Sequence, residues 1–149
     1  MEPTLQNGNA LLLKKWGVPQ KGDIVTAYID ELDYTVVKRI LAAEGDTVNI
    51  DESGVYVNGK WAAESVKNGQ NNIDFRVSVN EYFLIGDNLA DSLDSRSFGC
   101  VGRSAIRGIL IKKLFYSLIQ HLWHLVQADR KRQIIFLHHG RKCLEDRLS

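Results

Sequence analysis

The stretch from residue 22 to residue 57, GDIVTAYIDELDYTVVKRILAAEGDTVNIDESGVYV, decides the fold of this chain. It contains short segments rich in Val, Ile and Tyr, separated by Gly and Asp residues that are typical of turns. Short apolar segments with turns about every ten residues predict an antiparallel β-structure. They do not alternate with helical patterns, which argues against a doubly wound parallel sheet. Together with a later segment, the predicted strands are Ile24–Ile29, Thr35–Leu41, Thr47–Ile50, Gly54–Val57 and Tyr82–Ile85.

The β pattern continues beyond residue 57. Asn58-Gly59 is a typical two-residue hairpin turn, and it lies between Gly54–Val57 and Lys60–Ala62. The polar segment Val66–Asp74 is predicted to be an exposed loop between strands. We therefore predict one all-β domain over residues 1–111.

The sequence changes character after residue 111. Leucines recur at helical spacing and predict a helix over Leu114–Val126, which is shorter than the roughly 20 apolar residues that a bilayer span needs. We predict that residues 112–149 form a helical and partly disordered C-terminal tail. Trp123 and the basic residues near it leave open a peripheral membrane contact.

Composition narrows the classes of function. The chain has 149 residues, 44% of them hydrophobic, and a formal net charge of +1. Such a balanced charge argues against bulk electrostatic binding of nucleic acid. Cys100 and Cys143 have no partner at zinc-ligand spacing, so we expect no metal and no cofactor, although a disulfide between them stays open. Residues Met1–Gly8 are polar and show no secretory signal, so the sequence as given is expected to be soluble.

A hydrolase without a metal needs a nucleophile, a base and donors for the oxyanion. The usual base is histidine, but the four histidines all lie in the predicted tail, where a helix face and a solvated turn explain them: His121, His124, His138 and His139. A His-dependent triad therefore fits poorly.

Lys38 is the alternative base. Burial disfavours the charged ammonium and lowers a lysine pKa. Strand alternation predicts that Lys38 shares a face with the apolar Val36 and Ile40, while Arg39 faces the other side. Strand lysines are usually exposed, so this pattern alone leaves both interpretations open.

The loop GDNLADSLDSRSFG, residues 86–99, follows the predicted strand Tyr82–Ile85. Within it, Asp94 and Arg96 are predicted to form a charge-assisted pair, and Ser92 offers a hydroxyl to a neighbouring amine. The alternative is a polar loop that builds only its own backbone turns.

Four motifs follow one another in order within residues 1–111. They are Met1-Glu2-Pro3-Thr4; Gly22-Asp23-Ile24-Val25; Lys38-Arg39 with Gly45-Asp46; and Gly86-Asp87-Asn88 followed by Ser92, Asp94, Ser95 and Arg96. Each motif is weak alone, but the four together in this order and spacing are specific. In them the chain resembles the type I signal peptidases, the S26 family of Ser-Lys proteases.

The resemblance implies an all-β peptidase fold of coiled antiparallel sheets, shared with the SOS-repressor autoproteases, here with a C-terminal helical tail. It implies that Lys38 is the general base and that Ser92 orients its amine. Asp94 and Arg96 would be the structural ion pair of the site. The remaining residues that it assigns are Asp87 and Asn88 as structural residues and Met1 and Pro3 as substrate-binding residues.

The same resemblance implies the partners. They are signal peptides of secreted preproteins, bound as an extended strand with small residues such as Ala near the cut. It implies a membrane-anchored protein with an extracytoplasmic catalytic domain, and no nucleic-acid partner. Leu89 and Asp91 depart from residues frequent in the family, and we expect both to be tolerated.

The family nucleophile is a serine directly before the methionine of the first motif, which is Met1 here. That serine, a second serine that assists the oxyanion in many members, and the membrane-spanning helix would precede this sequence. We therefore expect the chain as written to be unable to cleave peptides. Two explanations stay open: a start assigned too late, or a relative that binds signal peptides or a partner without cutting. A repressor-type autoprotease is a third alternative, but no helix-turn-helix pattern supports it.

Overall fold

The computed structural model describes residues 1–65, 72–114 and 132–136, which form two antiparallel sheets. Within these ranges, helix occurs as one α-helical turn, α1 (Ser95–Phe98), and as 3-10 turns at Asp30–Leu32, Leu89–Asp91 and Arg103–Ala105. The strands are β1 Ala10–Lys14, β2 Ile24–Ile29, β3 Tyr34–Ala43, β4 Thr47–Asp51, β5 Gly54–Val57, β6 Lys60–Ala63, β7 Ile73–Arg76, β8 Glu81–Ile85, β9 Val101–Gly102, β10 Ile106–Leu114 and β11 Arg132–Phe136. The predicted all-β fold of antiparallel sheets is confirmed.

The larger sheet has the strand order β11-β1-β10-β2-β3-β8-β9, and the smaller one has the order β6-β5-β4-β7. The turn Glu44-Gly45-Asp46 leads from β3 in the first sheet to β4 in the second. Asp46 accepts hydrogen bonds from the Ala43 N–H, the Lys21 amine and the Asn58 amide, at 3.0, 3.0 and 2.7 Å. This one carboxylate therefore fixes the junction between the two sheets.

Strand alternation divides the core of the larger sheet into two layers. Val25 and Ala27 of β2 pair with Lys38 and Val36 of β3. The apolar residues on this face, Val25, Ala27, Val36 and Ile40, pack in one cluster. The opposite face of the same two strands carries a second cluster, which contains Leu5, Leu11, Leu13, Ile24, Val37 and Ile135. Apolar residues on both faces of a strand explain why β2 reads as a continuous apolar run.

Each predicted strand is present, and the predicted hairpin turn joins β5 to β6, with Asn58 and Gly59 at φ of 52° and 74°. Five of the described strands were not predicted: β1, β7, β9, β10 and β11. Ile73 and Asp74, expected in an exposed loop, instead pair with Ile50 and Asn49 of β4. The charged and partly exposed β7 borders the smaller sheet, which is why its sequence resembles a loop.

The larger sheet extends past Ile111. Strand β10 continues to Leu114, and β11 pairs antiparallel with β1 along all five of its residues. Residues 112–114 and 132–136, expected in a helical or frayed tail, are therefore strands instead. The helix predicted over Leu114–Val126 lies, apart from Leu114, outside the described residues. Among the residues described, no helix has the length and apolarity to cross a bilayer.

Candidate active site

Lys38 and Ser92 meet beside the C-terminal end of β8, where Ile85 pairs with Arg39 of β3. The Lys38 Nζ atom donates a hydrogen bond to the Ser92 Oγ atom at 2.9 Å. Lys38 lies between the buried Val37 and half-buried Arg39 on β3, and Ser92 follows the 3-10 turn Leu89–Asp91 after β8. Because β3 and β8 are paired, the loop after β8 is carried over the Lys38 side chain.

Burial lowers the pKa of Lys38 from the ordinary value of 10.5. The neighbouring Asp94 carboxylate acts in the opposite direction, and the Arg96 guanidinium lowers the pKa further. The net effect is that this amine loses its proton more readily than a lysine in water. A neutral amine is what a lysine general base requires.

Gly86 provides the space in which the pair forms. A Cβ atom at this position would lie 2.0 Å from the Ser92 Oγ atom and 3.3 Å from the Lys38 Nζ atom. The first distance is a steric overlap, so any side chain here would displace Ser92. Gly86 heads the motif Gly86-Asp87-Asn88, and close approach of Ser92 explains the need for glycine.

Asp94 and Arg96 form a buried ion pair behind Ser92. The Arg96 Nε and Nη2 atoms donate to the two Asp94 oxygens at 2.8 and 2.9 Å, and both side chains are 0% exposed. Arg96 also donates to the backbone carbonyls of Glu64 and Leu89, each at 3.0 Å. Asp94 accepts from the Gly86 N–H at 3.0 Å. The pair therefore ties the loop after β8 to itself and to the chain after β6.

Asp94 is held ionised in this buried place. Burial acts to raise its pKa, but hydrogen bonds from Arg96, from the Gly86 N–H and from the Ser92 hydroxyl outweigh it and hold the pKa below the ordinary 3.8. Ser92 thus donates to Asp94 and accepts from Lys38. These two bonds fix the rotamer of the Ser92 hydroxyl.

A second bidentate pair, which the sequence analysis did not find, lies beside Lys38. The Arg39 Nε and Nη2 atoms donate to the two Asp87 oxygens at 2.9 and 2.7 Å, and Arg39 Nη1 donates to the Gly22 carbonyl at 2.9 Å. Arg39 does face away from Lys38, as alternation predicts, but it is paired rather than solvated. The pairing of Arg39 with Ile85 in the sheet places Asp87 two residues beyond the partner of Arg39, a register that the sequence alone does not give.

The N-terminal segment reaches the same site. Burial lowers the pKa of the Met1 amino group from 8.0, and the nearby charge of Lys38 lowers it further. Met1 also packs beside the cluster that contains Leu5 and Val37. Pro3 is exposed, and Asn88 is half-buried with its carbonyl accepting from the Asp91 N–H at 3.2 Å. The structure thus brings the Met1 amino group near Lys38.

The family model described as "Signal peptidase, peptidase S26" matches residues 1–115 of the chain. Signal peptidase I of Bacillus licheniformis is 32% identical over 126 residues, which cover 72% of this chain and 68% of that protein. Signal peptidase I S of Bacillus subtilis is 34% identical over 135 residues, 78% of this chain and 72% of that protein. The crystal structure of a signal peptidase I from Enterococcus faecalis is similar, with a TM-score of 0.51 at 27% identity, covering 63% of this chain and 97% of that one.

Proposed function

Because this chain belongs to the peptidase S26 family of signal peptidases, we propose that Lys38 is the general base of a Ser-Lys pair that removes signal peptides from preproteins. The enzyme class follows from the family. The roles of the individual residues are the proposal.

The observation that carries these roles is the position of the Lys38 amine. It lies 2.9 Å from the Ser92 hydroxyl, it is partly withdrawn from water, and its charge lies near enough to the Met1 amino group to lower the pKa of that group. The residue that precedes Met1 in the family motif would enter at that amino group. A hydroxyl on that residue is then supplied to the Lys38 amine without any rearrangement of the sheet.

The proposed reaction proceeds in two steps. Neutral Lys38 removes the proton of a serine hydroxyl placed directly before Met1, and the serine oxygen attacks the scissile carbonyl. The protonated Lys38 amine returns its proton to the leaving nitrogen, which leaves an acyl-enzyme. Water then attacks the ester, and Lys38 again takes the proton and returns it to the serine oxygen. Ser92 holds the amine in line, and Asp94 holds Ser92.

The proposed substrate is the signal peptide of a secreted preprotein, bound as an extended strand. Met1, packed with Val37 one residue before the base, and Pro3, exposed beside it, are the proposed substrate contacts. Small residues such as Ala near the cut are part of this proposal, as the family resemblance implies. The family is membrane-associated, and we place this catalytic domain at the outer face of the cell membrane.

The test compares three proteins against one preprotein substrate. A form with serine directly before Met1 is expected to release the signal peptide, and the same form with Lys38→Ala is expected not to. The chain that begins at Met1 is expected to bind the substrate without cutting it. Release by the Lys38→Ala form at the rate of its parent would remove Lys38 from the proposed role.

A further inference from the structure

Thr4 is the last residue of the motif Met1-Glu2-Pro3-Thr4, and the proposed mechanism gives it no task. In the structure Thr4 is held at two points. Its side chain hydrogen-bonds the Asp87 carboxylate, and its backbone carbonyl accepts a hydrogen bond from the Lys113 Nζ atom at 3.1 Å. Lys113 lies 109 positions along the chain from Thr4, so the second contact is a tertiary one.

The two holding residues come from different parts of the larger sheet. Asp87 follows β8 and Lys113 lies in β10, and the strand order places β2 and β3 between those two strands. Lys38 lies in β3. Contacts from both sides therefore hold Thr4 relative to the strand that carries the proposed base.

The Asp87 end of this arrangement is rigid. Arg39 holds both Asp87 oxygens, and Arg39 is the chain neighbour of Lys38. A covalent step and three hydrogen bonds thus connect the base to Thr4: from Lys38 to Arg39, through two bonds to Asp87, and from Asp87 to Thr4. A bidentate guanidinium–carboxylate pair fixes direction as well as distance.

The rest of the N-terminal segment has few other anchors. Glu2, Pro3 and Thr4 are exposed, and burial begins at Leu5, which is 3% exposed. The Leu5 N–H donates to the Met1 carbonyl at 3.0 Å, which closes the segment into a turn. The position of Met1 therefore depends on its own packing beside the cluster that contains Leu5, on the turn closed by Leu5 and on the two contacts at Thr4.

We propose that Asp87 and Lys113 form a clamp on Thr4, here called the Thr4 clamp, that sets the position of the residue before Met1 relative to the Lys38 amine. Thr4, Asp87 and Lys113 are then positioning residues for the reaction and not catalytic ones. This inference rests on the proposed function of Lys38. Attack requires reacting atoms about 3–3.5 Å apart, and a misplacement of about 1 Å costs roughly a hundredfold in rate. A clamp on an exposed segment supplies that precision.

The first experiment measures the segment itself in the chain that begins at Met1, where no activity is needed. Lys113→Met removes the hydrogen-bond donor to the Thr4 carbonyl, and Lys113→Arg keeps a donor there. Lys112→Met is the matched control, since Lys112 is exposed on the opposite face of β10. Thr4→Val removes the hydroxyl, and Thr4→Ser keeps it. The readouts are hydrogen exchange of the Leu5 amide and the pKa of the Met1 amino group.

We expect Lys113→Met and Thr4→Val to speed Leu5 exchange several-fold and to raise the Met1 amino pKa toward its ordinary value of 8.0, because the segment moves into water and away from Lys38. Lys113→Arg, Thr4→Ser and Lys112→Met are expected to stay near the parent. Exchange and pKa unchanged in both Lys113→Met and Thr4→Val would overturn the clamp.

The second experiment uses the form with serine directly before Met1. Loss of the clamp is expected to lower kcat about tenfold or more, with little change in KM and with the pH midpoint of the rate unchanged, because the surroundings of Lys38 stay intact. A changed pH midpoint, or a full kcat in Lys113→Met, would contradict the positioning role. The proposed function fails separately, namely if the Lys38→Ala form keeps its activity.

Discussion

The Oγ atom of Ser92 lies 2.9 Å from the Nζ atom of Lys38, although the two residues are 54 positions apart in the chain. The contact depends on a glycine at position 86, on the buried Asp94–Arg96 pair behind Ser92 and on the pairing of β3 with β8. Each of these supports can be removed separately, and each removal has a different expected result.

Replacement of Lys38 is expected to abolish cleavage in the form with serine directly before Met1. Lys38→Ala removes the base, and Lys38→Arg replaces it with a group that stays protonated. We expect a loss of about a hundredfold to ten-thousandfold in kcat, the usual contribution of a general base. Lys60→Met, at an exposed position of β6, is the control. Turnover by Lys38→Arg close to that of the control would exclude Lys38 as the base.

The rate of cleavage is expected to rise with pH through the pKa that Lys38 has in the folded protein. Burial lowers that pKa below 10.5, so the neutral amine becomes abundant at a lower pH than for a lysine in water. The measurement is kcat/KM as a function of pH, with a peptide substrate that has no ionisable residues near the cleavage site. A rising limb centred at or above 10.5 would show that the desolvated amine is not the titrating group.

Gly86→Ala is expected to reduce cleavage at least as strongly as Ser92→Ala. The added Cβ would overlap the Ser92 Oγ atom at 2.0 Å and also crowd the Lys38 Nζ atom at 3.3 Å, whereas Ser92→Ala removes only the hydroxyl. We expect Ser92→Ala to lower kcat by about tenfold to a hundredfold, as for a misplaced base.

Gly102→Ala serves as the control for Gly86→Ala, because the nearest atom to its Cβ would be the Ser104 Oγ atom at 3.7 Å, an ordinary contact. Ser97→Ala, at an exposed position in α1, serves as the control for Ser92→Ala. Equal activity of Gly86→Ala and Gly102→Ala would mean that Ser92 does not need its observed position.

Asp94→Asn is expected to destabilise the fold by about 3–5 kcal/mol, because it leaves the Arg96 charge buried without its partner. Lys21→Met breaks the pair with Asp46, in which Lys21 is 50% exposed, and is expected to cost less than about 1 kcal/mol. Urea unfolding at neutral pH measures both changes. Similar losses of unfolding free energy in Asp94→Asn and Lys21→Met would contradict the view that burial makes the Asp94–Arg96 pair the more important one.

The Asp94 pair also predicts a dependence of stability on pH. The pKa of Asp94 in the folded protein lies below the ordinary 3.8 that it has in the unfolded chain. Ionised Asp94 therefore stabilises the fold fully above pH 3.8, and this stabilisation is lost as the pH falls through the lower pKa of the folded state. The difference in unfolding free energy between the parent and Asp94→Asn is therefore expected to shrink only in strong acid. If the difference in unfolding free energy shrinks already near neutral pH, a group other than Asp94 causes the pH dependence.

The sequence predicted the contacts whose partners both lie in short motifs. The contacts of Lys38 with Ser92 and of Asp94 with Arg96 were predicted because the resemblance carried by the ordered motifs implies them, whereas the residues alone left alternatives open. Arg39 was missed, since alternation says only that it faces away from Lys38 and not that a carboxylate meets it there.

Other misses have a different physical origin. Strand β1 is an apolar run without alternation, because it is buried between β10 and β11. The end of β10 was missed because Lys112 and Lys113 interrupt its apolar pattern. The contact of Lys113 with Thr4 depends on the position of β10 beside the N-terminal segment. Such distances are set by the assembled sheet and not by local pattern.

Strand β11 has a consequence for how the protein can be shortened. It lies beyond the residues 1–115 that the family model matches, yet it covers the outer side of β1, and its Ile135 is 2% exposed. Without β11 the backbone N–H and C=O groups along Leu11–Leu13 would be open to another polypeptide, which is how unprotected sheet edges begin to associate. A fragment cut at the family boundary would keep the Lys38–Ser92 hydrogen bond and gain a sheet edge through which copies of the protein associate.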